Sequence, residues 1–420
     1  MSTRPRDLDD AALLEHVQRQ TFRYFWDFAH PTSGLSRERS NSAFGYGQEV
    51  VAVGGSGFGV MAIVIAAHRG WIERRDAVSH LLKSVAFLGR ADSYHGVFPH
   101  FLHGETGRTI PFSRKDDGGD LVETSFLMAG LLCARQYFAS EEASEGELRN
   151  RINALWREVE WNWHTRGNSS VLFWHWSPNN DWSMNHEIRG WNECLITYVL
   201  AAASPRYPIS ADVYHRGWTQ GRAFRNGRTY YGIELPLGPD YGGPLFFAHY
   251  SFMGLDPRGL KDEFADYWEQ NIRHALINRE HCIRNPKGYE GYSAHCWGLT
   301  ASDNDQGYNA HAPDNDLGVI APTAALSSLP YTPEYSMHAL RHFYDRLGDR
   351  IWGEYGFTDS FSESRNWYAS SNLAIDQGPI IGMIENHRSG LLWRLFMSCP
   401  EVRDGLGKLG FESPHLVGEV

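Results

Sequence analysis

The chain has 420 residues, 42% of them hydrophobic, and its 39 basic and 50 acidic residues give a net charge of -11. This charge disfavours partners that bind through phosphate neutralisation, such as nucleic acids or anionic membranes. An uncharged substrate, or a cationic one, fits better. The most apolar stretch, residues 60–67, is too short to span a bilayer, which needs about 20 apolar residues. We therefore expect no nucleic-acid partner and no membrane segment.

Residues 1–18 are acidic and amphipathic rather than apolar, so they do not resemble a signal peptide. The compartment stays open: cytoplasmic if the sequence is complete, periplasmic or secreted if a leader has been removed. The five cysteines are widely spaced and form no C-x-x-C pair. This spacing favours buried free thiols over a disulfide framework or a zinc site.

Apolar residues recur at helical spacing in about a dozen segments. The clearest are residues 9–28, 58–70, 75–88, 121–138, 145–163, 193–203, 260–277, 323–329, 333–346 and 379–397. Strand-like alternation is brief, as in residues 229–234. Since no linker or low-complexity tract interrupts the chain, we predict a single all-α domain over residues 1–420.

Long connections rich in glycine and aromatic residues separate the predicted helices, at residues 169–190, 286–316 and 348–375. Structureless loops of this length are uncommon in compact domains unless they carry function. About twelve helices in one domain suggest an (α/α)6 toroid, in which inner and outer helices alternate and the active cleft opens at one end. A helical array or bundle would show the same periodicity.

The densest polar cluster lies in residues 114–124, directly before an apolar helix. A double glycine marks a turn there, so the helix should begin near Asp120. Asp120 and Glu123 have the spacing of a capping box, which alone would explain them. It does not explain why Asp116 and Asp117 crowd the same turn. Carboxylates that converge on one helix N-terminus can acquire separated pKa values, as acid and base catalysis requires.

A second candidate is Glu193, at the predicted start of the helix over residues 193–203 and next to Trp191. A single Glu in a first helical turn usually only complements the helix dipole. A carboxyl group packed against Trp in a partly dry cleft, however, has a raised pKa because burial disfavours its charged form. Such a group can act as a general acid at neutral pH.

Aromatic residues are concentrated in the predicted loops, beside Asn, Asp, His and Gly. Each one alone is more often a core residue. Flat apolar faces next to hydrogen-bonding groups suit pyranose rings, so the clustering favours sugar binding. The aromatic loop residues are Trp163, Trp174, Trp176, Trp182, Tyr289, Tyr292, Trp297, Tyr308, Tyr331, Tyr355, Phe357 and Trp367.

Other common motifs do not fit the chain. The glycine-rich segment 54–59 lacks the Lys-Ser/Thr of a phosphate loop. Residues 314–316 lack the Gly and Glu of an EF-hand, and neither H-E-x-x-H nor G-x-S-x-G occurs.

Several blocks together resemble glycoside hydrolase family 144, which is typified by bacterial endo-β-1,2-glucanases. The resemblance runs from the block TFRYFW at residues 21–26 to residue 397. Its most specific blocks are DDGGDLVETSFL (116–127), GPLFFAHYSF (243–252), GY (291–292), CWGLTASD (296–303), IAPTAA (320–325), IDQGP (375–379) and IEN (384–386).

This resemblance implies a single (α/α)6 domain that hydrolyses β-1,2-glucan to short sophoro-oligosaccharides with inversion of the anomeric centre. The acidic residues important in the family match Asp116, Asp120, Glu123 and Glu193, the same four that local chemistry indicates. The family is also similar to the transglycosylation domain of cyclic β-1,2-glucan synthase, so transfer and exo attack remain alternatives to endo hydrolysis.

We expect Glu193 to be the general acid, and the cluster of Asp116, Asp120 and Glu123 to supply the base that activates water. No metal or organic cofactor is expected, because side chains can carry both proton transfers. The expected partner is a neutral β-glucan or gluco-oligosaccharide, and we expect a monomer or weak dimer.

Eight further residues are expected to bind substrate. Six lie at the edges of blocks, where polar groups meet glycines and aromatics: His249, Trp297, Asp303, Tyr355, Asp376 and Glu385. Arg114, beside the acidic turn, and Trp176, in an aromatic run, complete the set.

Three other classes of protein remain open. A sugar 2-epimerase shares the toroid but needs histidine pairs as bases. A toroidal polysaccharide lyase would need uronic acid substrates and cationic neutralisers, which the acidic charge balance disfavours. A non-catalytic glycan-binding protein would keep the aromatic residues and tolerate loss of Glu193.

Overall fold

The computed structural model describes residues 4–41, 45–221 and 223–416, and this part of the chain is mainly helical, as predicted. Its α-helices are α1 Asp10–Trp26, α2 Val53–His68, α3 Arg74–Leu88, α4 Leu121–Tyr137, α5 Ala143–Glu158, α6 Leu195–Ala203, α7 Ala211–Val213, α8 Tyr267–Arg284, α9 Pro322–Leu326, α10 Pro333–Arg341, α11 Gly348–Ile351, α12 Ala374–Arg388, α13 Leu391–Met397 and α14 Pro400–Lys408.

Short strands fill the long connections. They are β1 Val50–Ala52, β2 Phe101–His103, β3 Thr109–Ile110, β4 Gly119–Asp120, β5 Leu172–Phe173, β6 His175–Trp176, β7 Glu187–Ile188, β8 Arg225–Tyr230, β9 Ile233–Leu237, β10 Ala301–Asn304, β11 Gly307–Ala310, β12 Trp352–Gly353, β13 Gly356–Phe357, β14 Phe361–Ser362 and β15 Trp367–Tyr368. The strands form one three-stranded sheet of order β1-β2-β3 and several two-stranded sheets. The two-stranded sheets are β4-β6, β5-β7, β8-β9, β10-β11, β12-β13 and β14-β15. The predicted loops therefore hold ordered hairpins.

Two kinds of helix alternate along the chain. Helices α2, α4, α6, α9 and α12 are buried over most of their length, whereas α1, α3, α5, α8 and α10 bury one face. Helix α2 packs between α4 and α12, α4 also packs against α6, and α12 also packs against α9. The half-buried α1 lies against α2 and α12, and α3 lies against α2 and α5.

Two hydrophobic clusters fill the interior. The larger contains the apolar residues of α2, α4, α6 and α13. The second lies around α9 and α10. Helix α12 joins them, because Ile381 and Met383 belong to the first cluster and Ile380 and Ile384 to the second. That residues 1–420 form one domain stays a prediction.

The glycine-rich segment 54–59 forms the first turns of α2, which begins at Val53 rather than at the predicted residue 58. A Cβ on Gly57 would clash with the backbone of Phe126 in α4, and one on Gly130 of α4 would clash with the backbone of Gly57. Glycine costs a helix about 1 kcal/mol per residue relative to alanine. Here it lets two buried helices approach closely, and the packing gained offsets that cost.

Several predicted elements differ in detail from the structure. The predicted helix 260–277 lies seven residues later, at Tyr267–Arg284. The predicted strand 229–234 contains the turn of the β8-β9 hairpin, where Tyr231 and Gly232 both have positive φ (55° and 85°). The predicted helix 379–397 is two helices. It begins earlier, at Ala374, with Pro379 inside it, and is broken at Gly390, whose φ of 68° ends the helical path.

All five cysteines are buried and unpaired, as predicted. Within the described residues, none of the helices combines the length and the apolar character needed to cross a bilayer.

Candidate active site

A cavity of about 380 Å³ lies where four buried helices begin. Ala52 precedes α2, Glu123 lies in the first turn of α4, Glu193 comes two residues before α6, and Ile375 is the second residue of α12. The full lining comprises Glu38, Arg39, Ala52, His100, Phe101, Phe112, Val122, Glu123, Phe126, Trp174, Glu193, Phe246, Tyr250, Tyr308, Leu373 and Ile375. Helix N-termini carry partial positive charge, which favours carboxylates at this end of the helices.

Glu193 lies in the turn before α6, and not in its first helical turn as predicted. The backbone carbonyl of Glu193 accepts a hydrogen bond from the Ser251 hydroxyl, which in turn accepts one from the backbone N–H of Ile196 at 3.0 Å. Burial raises the pKa of the Glu193 carboxyl to about 7, and the charges of Glu123 and Asp120 add to the rise. Glu193 is therefore held in place and keeps its proton near neutral pH.

Glu123 reaches the cavity from the first turn of α4. Its Oε2 accepts a hydrogen bond from the backbone N–H of Gly54 at 2.8 Å, and its Oε1 lies 3.9 Å from His100 Nε2. Burial, assisted by the charge of Asp120, raises the pKa of Glu123, while His100 and the Gly54 N–H oppose that rise. Only half of the expected capping box forms, because Glu123 bonds to α2 instead of to the backbone of Asp120.

Asp120 is the N-cap of α4 and is fully buried. Its Oδ1 accepts from the backbone N–H groups of Val122 and Glu123, each at 3.0 Å, and from Trp174 Nε1 at 2.9 Å. Its Oδ2 lies 3.0 Å from His100 Nδ1. Burial alone would raise the pKa of Asp120. The His100 hydrogen bond, the nearby imidazoles and the Glu123 N–H outweigh burial and lower it.

Asp116 is buried beside the other acidic residues, with Oδ2 3.4 Å from His175 Nε2. Burial and the charge of Asp120 raise the pKa of Asp116 to about 7. Burial lowers the pKa of His175 to about 4. For His100 burial acts in the same direction, but the carboxylates of Glu123, Asp120 and Asp116 outweigh it and raise the pKa to about 9. The cluster thus contains one imidazolium, one neutral imidazole and carboxyl groups of different proton affinity.

The structure brings together the four acidic residues that the sequence indicated. Glu123 and Glu193 line one cavity, and Asp116 and Asp120 lie next to Glu123 around His100. One ligand atom each from His100, Asp116 and Asp120 lie within 4.8 Å of one another, close enough to hold a cation. The proton transfers considered below do not require one.

Two predicted substrate-binding residues adjoin the cavity from behind its wall. Asp303 Oδ2 lies 3.0 Å from the guanidinium of Arg39, which lines the cavity, and accepts from the Ser371 hydroxyl at 2.5 Å. Asp376 is buried in the first turn of α12. Burial raises its pKa well above the usual range, and the neighbouring Asp359 adds to the rise.

Trp176 and Arg114 lie further out. Trp176 pairs with Gly119 between β6 and β4 and packs against Trp163 and His95, outside the cavity lining. Arg114 is exposed on the turn that carries Asp116. Their part in substrate binding stays a prediction.

The structure places three other predicted cleft residues in the packed interior or, for Tyr355, in the turn between β12 and β13. His249 is buried, with Nε2 2.9 Å from the Ser328 hydroxyl. Trp297 is fully buried in the second hydrophobic cluster. Tyr355 packs its ring against Phe28, next to α1. We correct their placement accordingly, since their side chains fill space between elements.

The predicted position of Glu385 in the cleft is also wrong. Glu385 lies ten residues after Ile375 on α12, which at 1.5 Å per residue is about 15 Å from the cavity. Its fully buried carboxylate pairs with Arg69, just past the end of α2, through two contacts of 2.9 Å. Glu385 therefore joins the C-terminal ends of α2 and α12, which lie away from the cavity.

The sequence analysis did not single out several polar residues at the cavity, nor Phe112, whereas it already listed Tyr308 among the aromatic loop residues. His100 comes from the connection before β2, and Arg39 and Glu38 come from the connection after α1. Phe112 and Tyr308 are about half exposed, at 50% and 48%, and both line the cavity. Tyr308 carried a usable signal as an aromatic residue in a predicted loop, whereas His100 stands in no recognisable motif.

A pair of carboxyl groups facing a cleft lined with aromatic residues, at least one of them with a raised pKa, is the arrangement that glycoside hydrolases use. The family model described as "Putative glucoamylase" matches residues 185–400, just over half of the chain. An exo β-1,2-glucooligosaccharide sophorohydrolase (non-reducing end) from Parabacteroides distasonis is 46% identical over 96% of this chain and 58% of its own length. The chain thus spans less than two thirds of that relative.

Solved structures of several proteins resemble the chain over nearly its whole length. A "putative glucoamylase" from Bacteroides uniformis is 60% identical with a TM-score of 0.96, covering 98% of this chain and 100% of the other. An endo-β-1,2-glucanase from Chitinophaga pinensis, in complex with sophorotriose and glucose, is 56% identical with a TM-score of 0.95, covering 97% and 100%. The chain belongs to this glucoamylase-like family, and the matches confirm its resemblance to glycoside hydrolase family 144.

Proposed function

We propose that the chain hydrolyses β-1,2-glucan or β-1,2-linked gluco-oligosaccharides to short sophoro-oligosaccharides. The observation that carries this proposal is the position of Glu123 and Glu193, from segments 70 residues apart, on the walls of one cavity. The names of the Parabacteroides and Chitinophaga relatives supply the linkage. The half-exposed rings of Phe112 and Tyr308 offer apolar faces for pyranose rings.

Glu193 is the general acid. Its pKa of about 7 keeps it protonated up to neutral pH, so it can donate a proton to the leaving glycosidic oxygen, directly or through a substrate hydroxyl. The Ser251 hydroxyl donates to the backbone carbonyl of Glu193 and so fixes the backbone from which the Glu193 carboxyl group reaches the substrate.

The cluster of Asp116, Asp120 and Glu123 supplies the base. Glu123 is the member that reaches the cavity, whereas the Oδ1 of Asp120 already accepts three hydrogen bonds. Burial raises the pKa of Glu123, and the His100 imidazolium and the Gly54 N–H oppose that rise. A carboxyl group with a raised pKa is a stronger base than a free one, as a general base requires. We propose that Glu123 contacts the attacking water and that Asp120 and Asp116 set the charge of His100.

We propose an inverting mechanism, for which the acid and base carboxyl groups stand about 6.5 to 9.5 Å apart with the water between them. The fold is proposed to be an (α/α)6 toroid formed by residues 1–420. The alternation of buried and half-buried helices supports it, as does the convergence of buried-helix N-termini on the cavity.

Exo attack is the second candidate, because the Parabacteroides relative is named as an exo enzyme and the Chitinophaga relative as an endo enzyme. Transfer to a sugar acceptor is a further variant of the same chemistry. The substrate is proposed to be a neutral glucan, bound by a monomer or weak dimer.

The proposal is tested by incubating the protein with linear β-1,2-glucan, laminarin and cellulose, and resolving the products by size and anomeric form. We expect cleavage of β-1,2-glucan alone, with initial products of inverted configuration. An early mixture of chain lengths indicates endo attack, and a single short product from the first minutes indicates exo attack. Intact β-1,2-glucan after prolonged incubation would overturn the proposal.

A further inference from the structure

A cysteine, a histidine and a glutamate meet outside the cavity. One ligand atom each from Cys296, His342 and Glu363 lie within 4.8 Å of one another. They come from three separate elements: Cys296 from the segment before β10, His342 from the end of α10, and Glu363 from the turn after β14. None of the three is among the residues that line the described cavity.

One of these side chains lacks the partner that burial normally demands. His342 Nε2 is buried and has no hydrogen-bond partner among the described residues. Leaving a buried polar atom unsatisfied costs about 1 to 3 kcal/mol. Cys296 is fully buried beside His342 as a free thiol.

The backbone around the cluster is also specialised. A π-helical turn, His342–Arg346, begins at the histidine itself. Such turns are rare and occur often at functional sites. Gly291 has a φ of 84°, and a Cβ there would collide with Oε1 of Glu363. The absence of a side chain at Gly291 therefore leaves space for the Glu363 carboxylate beside Cys296 and His342.

We infer that Cys296, His342 and Glu363 bind a divalent cation of the zinc class. Thiolate, imidazole and carboxylate are the three ligand types that zinc prefers. Thiolate and carboxylate together carry two negative charges, which cancel the charge of the cation in a site where Cys296 is buried and His342 and Glu363 are half-buried. On binding, the Cys296 thiol releases its proton to solvent, the sulfur–metal bond forms, and water takes the fourth position.

The cluster needs only a small contraction to fit. Tetrahedral zinc with bonds of about 2.0 to 2.3 Å separates its ligand atoms by roughly 3.3 to 3.7 Å. The ligand atoms must therefore close in by up to about 1.5 Å from the 4.8 Å limit. The bound cation joins the segment leading into β10 to α10 and β14. The β10-β11 hairpin carries Tyr308 to the cavity, so the cation has a structural role and is no part of the proton transfers.

Cobalt(II) gives a direct test on the whole, tag-free protein after treatment with a chelator. We expect one equivalent of Co²⁺ to produce a thiolate-to-cobalt charge-transfer band in the near ultraviolet, and excess Zn²⁺ to abolish it. Zn²⁺ should also raise the Tm of the apoprotein, because it binds the folded state. Absence of the band at saturating Co²⁺ would overturn the inference.

Substitutions assign the ligands. Cys296→Ser should remove the band, whereas Cys282→Ser, which changes another buried free cysteine, should keep it. Glu363→Gln preserves shape and should weaken Co²⁺ binding by about tenfold or more. A band that persists unchanged in folded Cys296→Ser would contradict the proposed ligand set. Because the readout is spectroscopic, its result is independent of the proposed hydrolytic activity.

Discussion

The backbone N–H of Gly54 donates to Glu123 Oε2 at 2.8 Å, and a Cβ on residue 54 would lie 2.5 Å from that same oxygen. The first turn of α2 thus both holds the Glu123 carboxylate and leaves the space that it occupies. A residue that the sequence presents as part of a glycine-rich run therefore positions a proposed catalytic group.

We expect Gly54→Ala to lower kcat by about 10- to 100-fold, because a displacement of about 1 Å at a catalytic group can cost that much. The measurement is steady-state hydrolysis of β-1,2-glucan, with folding checked by circular dichroism. Gly407→Ala is the matched control, since residue 407 lies in α14 with nothing within 4 Å of an added Cβ. Equal activity of Gly54→Ala and wild type would show that Glu123 is not held as proposed.

Glu193→Gln should reduce turnover by about 10²- to 10⁴-fold, the usual contribution of a general acid, because the amide cannot protonate the leaving oxygen. Rates on β-1,2-glucan, with anomeric product analysis, measure the effect. Glu234→Gln, an exposed glutamate on β9, serves as the control and should retain full activity. Near-normal turnover of Glu193→Gln would exclude its role.

The pH dependence of the protein's stability should reflect the raised pKa of the Glu193 carboxyl group. The pKa of Glu193 rises from 4.5 to about 7 on folding, so the folded protein binds the proton more tightly than the unfolded chain. The stabilisation it contributes is fully present below pH 4.5 and is lost as pH rises through about 7. Glu193→Gln should therefore gain Tm relative to wild type at pH 8 and not at pH 4. A Tm difference that is independent of pH would contradict the shifted pKa.

Phe112→Ala and Tyr308→Ala should each raise KM by roughly 2- to 13-fold, because an aromatic contact contributes about 0.5 to 1.5 kcal/mol. Both side chains are about half exposed, so the Tm should change little. Ile283→Ala, another exposed apolar side chain, is the comparison on α8. An unchanged KM in both aromatic variants would mean that sugar does not contact these rings.

Glu385→Gln tests the correction made to the predicted cleft. Removal of one partner of its buried ion pair with Arg69 should lower the free energy of unfolding by about 3 kcal/mol. Urea unfolding measures the loss, and KM should stay at the wild-type value. A raised KM with an unchanged free energy of unfolding would instead indicate that Glu385 binds substrate.

Local sequence signals were enough to locate the acidic residues of the site. The turn before α4 is visible because Asp120 has the chemistry and spacing of an N-cap, and Glu193 stands out beside Trp191. These signals are short-range, and they do not reveal which partners arrive from distant segments. His100, which contacts both Asp120 and Glu123, comes from the connection before β2 and shows no motif of its own.

The same limit explains the residues that were misplaced. His249 and Trp297 belong to blocks that carry the family resemblance, but their side chains pack in the interior. Glu385 shares a helix with cavity residue Ile375, and only the helix length shows that the two lie at opposite ends. Helix periodicity predicts which face is buried, and it does not indicate which end faces the substrate.

Helix α2 spans 16 residues, about 24 Å, from the turn that holds Glu123 to the end beside Arg69. The proposed catalytic groups and the buried Arg69–Glu385 ion pair therefore lie at different ends of the same helices. A directed-evolution library confined to the end near Arg69 and Glu385 should yield variants of higher thermostability with unaltered product profiles. Randomising the opposite end should instead change the substrate specificity.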